Sequence, residues 1–244
     1  PRAPRPRTVT RSTHVRAAHA SAGSATARDD FPALLDELRE TAGSSAQLPD
    51  ATASPDPSVD VEEVRALLDE LEVKGRAPKA GYDRDLFGPA WADTDRNGCD
   101  TRNDVLRRDL TAVTFKQGTN GCVVLSGTLQ DPYTGQSINF ERGQDTSSAV
   151  QIDHVVALAD AWQKGAQKWS AETREQFAND PLNLRAVDGP TNQQKGAGDA
   201  ATWLPPAKGY RCEYVAAQVA VKSAYGLWVT AAEADAIERV LEGC

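Results

Sequence analysis

Hydrophobic residues recur with a helical period at both ends of residues 60–244 and follow strand-like patterns between them. Val61, Val64 and Leu68 lie on one face of a helix predicted over 61–72, which Asp60 would cap. Runs rich in β-branched residues predict strands at 111–116, 121–129, 136–142 and 149–154. Later segments predict helices at 155–166, 171–179, 190–196, 211–225 and 230–242, with a short extended segment at 181–187. This order of elements indicates an α+β domain over 60–244.

Residues 1–59 have a different composition. Residues 1–28 contain six Arg and no acidic residue, and residues 41–58 are rich in Ser, Ala, Pro and Asp. Segments of this kind bury too little apolar surface to fold by themselves. We therefore expect a flexible basic N-terminal arm and linker before the domain.

The charge balance argues against tight, non-specific binding of nucleic acid by the whole surface. The net charge is −8, and the residues after the basic arm carry about −14 from 21 basic and 35 acidic side chains. Such binding comes mainly from neutralisation of phosphates by Lys and Arg. A nuclease is compatible with this balance, because a local cationic groove and a bound divalent ion can hold a phosphate. No apolar run is long enough to span a membrane.

The four cysteines, Cys99, Cys122, Cys212 and Cys244, allow three pairings and contain no CxxC spacing. The absence of that spacing argues against a zinc ribbon. Disulfides are typical of exported proteins, so we expect a secreted, extracellular protein in which near neighbours pair, Cys99 with Cys122 and Cys212 with Cys244. The alternative is four buried thiols in a cytosolic protein.

A turn-rich acidic segment has the spacing of a calcium loop. Asp93, Asp95, Asn97, Gly98 and Asp104 satisfy D-x-D-x-N-G with an acidic residue at loop position 12. Structural Ca²⁺ is one interpretation, although the last ligand is Asp instead of the usual Glu. In the second interpretation the Asp and Asn side chains bind their own backbone in a disulfide-anchored turn.

The stretch Gln151–Pro206 holds His154, the one histidine of the predicted domain, since His14 and His19 lie in the arm. The same stretch supplies further polar side chains, namely Asp153, Asn183, Asn192 and Lys195. A carboxylate, an imidazole base, carboxamide oxygens and a cation suit metal-assisted attack on a phosphodiester.

The elements of this stretch have the order strand, helical insertion, strand, turn and short helix. His154 falls on the first strand, Asn183 at the start of the second and Asn192 on the short helix. Two strands and a helix that converge on one divalent ion form a ββα-metal site. Neighbouring strand residues point to opposite faces, so Asp153 and His154 can both serve this site only if the strand end twists or the ion lies at its edge.

The ordered motifs IDHVVALADAW, NDPLNL and NQQKGAGD closely resemble the HNH endonuclease family, in particular the secreted bacterial HNH nucleases. The upstream segments GYDRDLFGPAW and NGCDTRNDVLRRDL are similar to the same subfamily. The resemblance covers roughly residues 80–210. It implies a ββα-metal (His-Me finger) core with an added β-hairpin, flanking helices and disulfide staples.

The resemblance also implies a role for each matched residue. His154 matches the general base, Asp153 the metal carboxylate and Asn183 the middle Asn, which orients the base and braces the loop. Asn192 stands where a third-position His is common, and this departure suits Mg²⁺ or Mn²⁺ more than zinc. One divalent ion held by Asp153 and Asn192 would stabilise the charge that develops on the phosphate.

Two cations are further candidates for the site. Arg102, in catalysis and substrate binding, and Lys195, in substrate binding, could steady a non-bridging phosphate oxygen. Each candidate residue also has a purely structural interpretation. In that interpretation Arg102 pairs with Asp100 or Asp104, Lys195 is a solvated surface charge, Asp153 and His154 form a buried pair, Asn183 is a turn residue and Asn192 caps a helix.

We therefore expect a secreted, divalent-metal-dependent, sequence-non-specific endonuclease that hydrolyses phosphodiester bonds of DNA, or of RNA, with His154 as general base. The protein is expected to act as a monomer with no membrane partner. Because no basic base-reading surface is evident, sequence specificity is not expected. The alternative from a different class is a non-catalytic, calcium-stabilised secreted binding module on the same scaffold.

Overall fold

The structure, a computed structural model, describes residues 59–244. The predicted arm and linker, with His14 and His19, lie outside the described residues except for Val59. The described part mixes helices with small antiparallel sheets, as the sequence predicts, and contains two disulfides.

The helices and strands of this part follow in the order α1 Val61–Glu70, α2 Thr101–Asp109, β1 Leu110–Phe115, β2 Val124–Gln130, β3 Ser137–Glu141, β4 Val150–His154, α3 Leu158–Gln163, α4 Ala171–Asn179, β5 Leu184–Asp188, α5 Gly189–Lys195, α6 Arg211–Tyr225 and α7 Ala231–Leu241. Strands β1, β2 and β3 form one antiparallel sheet, and β4 and β5 form a second. None of the helices between residues 59 and 244 is long and apolar enough to cross a membrane.

Helices α1, α6 and α7 enclose one part of the core. Asp60 caps α1 by accepting from the amides of Glu62 and Glu63, and Thr230 caps α7 in a capping box with Glu233, as predicted. The disulfide Cys212–Cys244 joins the first turn of α6 to the residues that follow α7. The helical part is therefore closed by a covalent bond as well as by apolar packing.

Helix α2 is absent from the sequence-based prediction, which assigns a turn to this segment. Asp100 caps the helix through the amide of Asn103, and Val105 and Leu106 are buried in the core beneath the first sheet. Two apolar positions in a nine-residue helix give a weak periodic signal. The disulfide Cys99–Cys122, in the predicted pairing, ties the start of α2 to the loop before β2.

Strands β4 and β5 are joined by a long connection but are paired in a simple antiparallel register. His154 lies opposite Leu184, and Val150 lies opposite Asp188. Helix α5 begins directly after β5, because Asp188 accepts a hydrogen bond from the amide of Thr191. The predicted order of strand, insertion, strand and short helix is therefore present.

Beneath these elements lies a group of charged side chains that we call the buried ionic cluster: Arg76, Asp160, Lys164, Asp199, Lys222 and Glu233. The Lys164 ammonium lies 2.7 Å from Asp160, 2.8 Å from Asp199 and 2.6 Å from Glu233. Burial lowers the pKa of Lys164, but the nearby carboxylates outweigh it and the pKa is raised. The cluster joins α3, α6 and α7 to the loop that follows α5.

Candidate active site

His154 is the last residue of β4, and its ring has a defined orientation. The side chain is 7% exposed, and Nε2 lies 2.8 Å from the carbonyl oxygen of Ala178. A carbonyl can only accept, so Nε2 carries the proton and donates, and Nδ1 keeps a free lone pair. Nδ1 is therefore the atom that can remove a proton from water.

The protonation state of His154 favours this role. Burial lowers the pKa of His154 to about 3, against the opposing effect of the hydrogen bond to Ala178. The positive charges of Arg84 and Lys195 contribute to this lowering of the pKa. The imidazole is consequently neutral at physiological pH, which a general base requires.

Two adjoining cavities meet at His154, and we call them together the His154 groove. Their volumes are about 170 Å³ and 370 Å³, and Arg84, His154 and Leu158 line both. The smaller cavity is bounded by the segment that contains Trp91, and the larger by Asp153 and Asn192. The groove is thus formed by β4, α3, α5 and the chain before α2.

Asp153 borders the groove, but its carboxylate is already bound within the protein. Asp153 is 5% exposed, and its two oxygens lie 2.8 Å and 2.7 Å from the Lys195 ammonium. The hydroxyl of Tyr133 donates to the same carboxylate. Alternation along β4 explains this arrangement, because neighbouring side chains leave a strand on opposite faces.

The structure does not support the predicted substrate contact of Lys195, or the alternative of a solvated charge. Its side chain is fully buried, and its ammonium also donates to the carbonyl oxygen of His154 at 2.6 Å. Lys195 therefore neutralises Asp153 and fixes the backbone of the base. Its position on a short polar helix carries no sign of this burial in the sequence.

Asn183 braces the chain immediately after His154. Its Oδ1 accepts from the amide of Val156 at 2.8 Å, and its Nδ2 donates to the Val156 carbonyl at 3.3 Å. Its own carbonyl accepts from the amide of Val155. These bonds hold the chain after His154 in a non-helical bend, so the helix predicted to begin at 155 begins at Leu158 instead. Asn183 contacts backbone and makes no bond to the imidazole.

Asn192 lies on α5 and lines the larger cavity with Asp153 and His154. Its Nδ2 donates to Oε1 of Gln151 at 3.0 Å. Within residues 59–244 no donor binds its Oδ1, which is therefore a free carboxamide oxygen. Asn192 is not the helix cap, because Asp188 has that role.

This donor set fits a hard divalent cation in its chemistry, since carboxylate and carboxamide oxygens are the ligands that Mg²⁺ and Mn²⁺ prefer. Asn192 offers a free oxygen beside His154. Asp153 offers only the lone pairs that Lys195 and Tyr133 leave unoccupied, so its carboxylate would be a shared ligand.

Arg102 does not lie with the other predicted site residues. Its guanidinium donates to the carbonyl oxygen of Val150 at 3.3 Å, and it does not pair with Asp100 or Asp104. Val150 is at the opposite end of β4 from His154, about 13 Å away at the usual rise per strand residue. Arg102 therefore lies apart from His154, and its predicted role in catalysis and substrate binding stays a prediction.

Arg84 is a candidate that the sequence analysis did not single out. It lies on the 3₁₀ helix Arg84–Phe87, is exposed, and lines both cavities of the groove. In the part of the chain that the structure describes, its guanidinium has no hydrogen bond or ion pair. The segment GYDRDLFGPAW, which contributes to the family resemblance, contains Arg84, but no local pattern distinguishes it from Arg102.

The turn with the calcium-loop spacing uses its side chains on its own backbone. Asp93 accepts from the amides of Asn97 and Gly98, each at 3.0 Å, and Asn97 accepts from the amide of Cys99 at 2.7 Å. Among residues 59–244, no group of three or more His, Cys, Asp or Glu side chains is placed to hold a metal ion. The turn interpretation accounts for these contacts.

Comparison with known proteins gives a family for this arrangement. Residues 100–240 match the family of GmrSD restriction endonucleases, C-terminal domain. The match covers more than half of the chain, so the chain belongs to this family. A family of restriction endonucleases indicates a nuclease-related function with nucleic acid as substrate. No solved structure matches the chain.

A relative from the fungus Arthroderma benhamiae bears on location. It is described as an uncharacterized secreted protein and is 41% identical over 182 residues, which are 74% of this chain and 84% of that protein. Together with the disulfides Cys99–Cys122 and Cys212–Cys244, this relative is consistent with an extracellular location.

Proposed function

We propose that this chain is a secreted, divalent-metal-dependent endonuclease of low sequence specificity, built on a ββα-metal core of β4, β5 and α5. The observation that carries the proposal is the orientation of His154. Its Nε2 is occupied by the Ala178 carbonyl, while Nδ1 of a neutral imidazole remains free at a groove. Family membership supports the class of reaction.

In the proposed reaction, Nδ1 of His154 takes one proton from a water molecule in the groove. The water oxygen forms a new bond to phosphorus as the bond from phosphorus to the leaving 3′ oxygen breaks, and the leaving oxygen gains a proton from solvent. Lys195 holds the carbonyl of the base and Asn183 holds the backbone just after it, so the imidazole does not need to reorganise during the step.

Arg84 takes the role that the sequence assigns to Arg102 and Lys195. Among the described residues its guanidinium has no partner, it lines the groove, and its positive charge helps to lower the pKa of His154. A guanidinium can hold a phosphate oxygen through two parallel hydrogen bonds. We therefore assign the binding of a non-bridging phosphate oxygen to Arg84.

A divalent cation, Mg²⁺ or Mn²⁺, would be held by Oδ1 of Asn192 and by the shared carboxylate of Asp153. When bound, it supplies positive charge to the phosphate and to the leaving oxygen. The chain's own contribution is to keep a carboxamide oxygen free beside a buried, neutralised carboxylate.

The test is cleavage of plasmid DNA, single-stranded DNA and RNA by the purified chain with Mg²⁺, with Mn²⁺ and with EDTA. We expect cleavage that stops in EDTA and is lost in His154→Ala. Binding of DNA without cleavage under every condition would support the non-catalytic binding module instead.

A further inference from the structure

The indole of Trp91 forms a flat wall of the His154 groove. Its ring lies within 13° of parallel to the imidazole of His154, with 6.3 Å between ring centroids. Trp91 is half-buried, with part of the side chain packed on the core cluster beneath the first sheet and part lining the smaller cavity. An aromatic ring is therefore displayed next to the candidate base.

The backbone holds Trp91 in an unusual conformation. Its φ is +62°, a left-handed value that bulky residues rarely adopt. The hydroxyl of Thr101 donates to the carbonyl of the next residue, Ala92, and the disulfide Cys99–Cys122 anchors the chain a few residues further on. Such conformations persist where surrounding contacts impose them, and they concentrate at sites that bind ligands.

The rest of the smaller cavity matches the two chemical halves of a nucleotide. Its walls near Trp91 include the apolar residues Phe87, Pro89 and Ala90, whereas Arg84 brings a positive charge beside the acidic Asp85. Stacking on an aromatic side chain suits any base, because every base has a π-face. A base inside a duplex already stacks on its neighbours and reaches such a wall only after it is unpaired.

We propose that Trp91 is a stacking platform for the nucleobase next to the scissile phosphate, and that the enzyme consequently prefers unpaired nucleotides. This inference rests on the proposed nuclease function and deepens it, because it names single-stranded nucleic acid as the preferred substrate class. Arg84 holds the phosphate, and Trp91 holds the base attached to it.

The experiment compares cleavage of one oligonucleotide, single-stranded and as a duplex, by wild type, Trp91→Ala and Trp91→Phe. We expect the wild type to favour the single strand, and Trp91→Ala to raise its KM for the single strand by about tenfold while duplex cleavage changes by less than about twofold. Trp91→Phe should retain most of the preference. Trp228→Phe is the matched control, since Trp228 lies elsewhere, with its indole bonded to the Gly75 carbonyl.

A purely structural role for Trp91 would lower cleavage of both substrates alike and would overturn the proposal, as would a wild-type preference for duplex. A binding measurement distinguishes failure of the stacking proposal from failure of the proposed nuclease function. In the His154→Ala background, the anisotropy of a fluorescent single strand should report tighter binding with Trp91 than with Ala at that position. If the wild type cleaves nothing, this comparison still supports or overturns the stacking role.

Discussion

The His154 groove and the buried ionic cluster both bring ionisable side chains together, but they differ in how those side chains are paired. In the cluster, each ammonium and guanidinium has a carboxylate within 3.2 Å. In the groove, Nδ1 of His154 and the guanidinium of Arg84 face an open cavity without a partner among the described residues. Paired charges hold elements together, whereas the unpaired groups are available to a substrate.

Asp153 and His154 show the same difference within two residues of one strand. Asp153 turns toward Tyr133 and Lys195, which occupy most of its carboxylate, and His154 turns toward the groove with one nitrogen free. Strand alternation thus separates a carboxylate that is bound within the protein from an imidazole that keeps one nitrogen free. Substitution of an unpaired group should change mainly the cleavage rate, whereas substitution of a paired group should change mainly the stability of the fold.

The largest expected effect is on catalysis. His154→Ala should lower the cleavage rate by about 10²–10⁴-fold, because no other imidazole lies in the described part to replace the base. The measurement is the single-turnover rate with saturating Mg²⁺, together with a thermal unfolding curve that should stay close to wild type. A rate within about threefold of wild type would refute the assignment of the base.

A substitution in the buried ionic cluster is expected to lower the stability of the fold and to leave the cleavage rate nearly unchanged. Lys164→Met leaves Asp160, Asp199 and Glu233 with too few cations, and we expect the free energy of unfolding to fall by about 3–5 kcal/mol. Urea denaturation measures this loss, and Lys168→Met, an exposed lysine on the following turn, is the matched control. The kcat of the remaining folded protein should be nearly unchanged at low temperature. An unchanged urea midpoint would show that the cluster does not stabilise the fold.

These two regions also show how far the sequence alone can predict the molecule. A lone histidine and an ordered motif mark His154 and Asn183 as candidates, and the structure confirms the predicted pairing of the cysteines. The burial of Lys195 could not be predicted, because its partner Asp153 lies 42 residues away and only the β4–β5–α5 geometry brings them together. Arg84 and Arg102 look alike in sequence, and only the fold places one on the groove.

The buried ionic cluster was unpredictable for the same reason. Asp160 and Lys164 have the i, i+4 spacing of an ordinary surface ion pair on a helix. Their burial depends on Asp199 and Glu233, which arrive from distant segments. A local pattern cannot report such partners.

The two asparagines should separate support of the backbone from binding of a metal ion. Asn183→Ala leaves the amide and carbonyl of Val156 unpaired in a buried position, so we expect a loss of about 1–3 kcal/mol in stability and a lower rate with unchanged metal affinity. Asn192→Ala should weaken metal binding instead, with partial rescue at raised Mg²⁺ or Mn²⁺.

Asn192→Asp is the conservative control, since it keeps an oxygen at the same position. Rate against metal concentration, with calorimetric titration of the metal, distinguishes these variants. If Asn183→Ala weakens metal binding and Asn192→Ala does not, the two roles are exchanged.

The smallest effect concerns pH. An ordinary imidazole would lose base function near its usual pKa of 6.5, but burial lowers the pKa of His154 to about 3. Activity measured as kcat/KM should therefore show no loss from His154 protonation until well below pH 6.5. A half-maximal kcat/KM at a pH near the usual imidazole pKa of 6.5 would show that water solvates the ring.

The same pKa shift predicts the sign of a stability change. Below pH 6.5 the unfolded chain gains a proton at this residue that the folded chain does not bind until about pH 3. The stabilising contribution of neutral His154 is therefore complete above pH 6.5 and decreases as the pH falls toward 3. Thermal midpoints of wild type and His154→Gln should converge or cross over this range.

The pairing register of β4 with β5 has a consequence for changes in chain length. A deletion of one residue within β4 would turn His154 inward and Asp153 outward, since each side chain moves to the other face. Insertions between α3 and α4 would leave that pairing intact, because the connection runs outside the two strands. Related chains can therefore diverge by insertion in this connection, whereas a single-residue change of length within the strand would exchange the positions of His154 and Asp153.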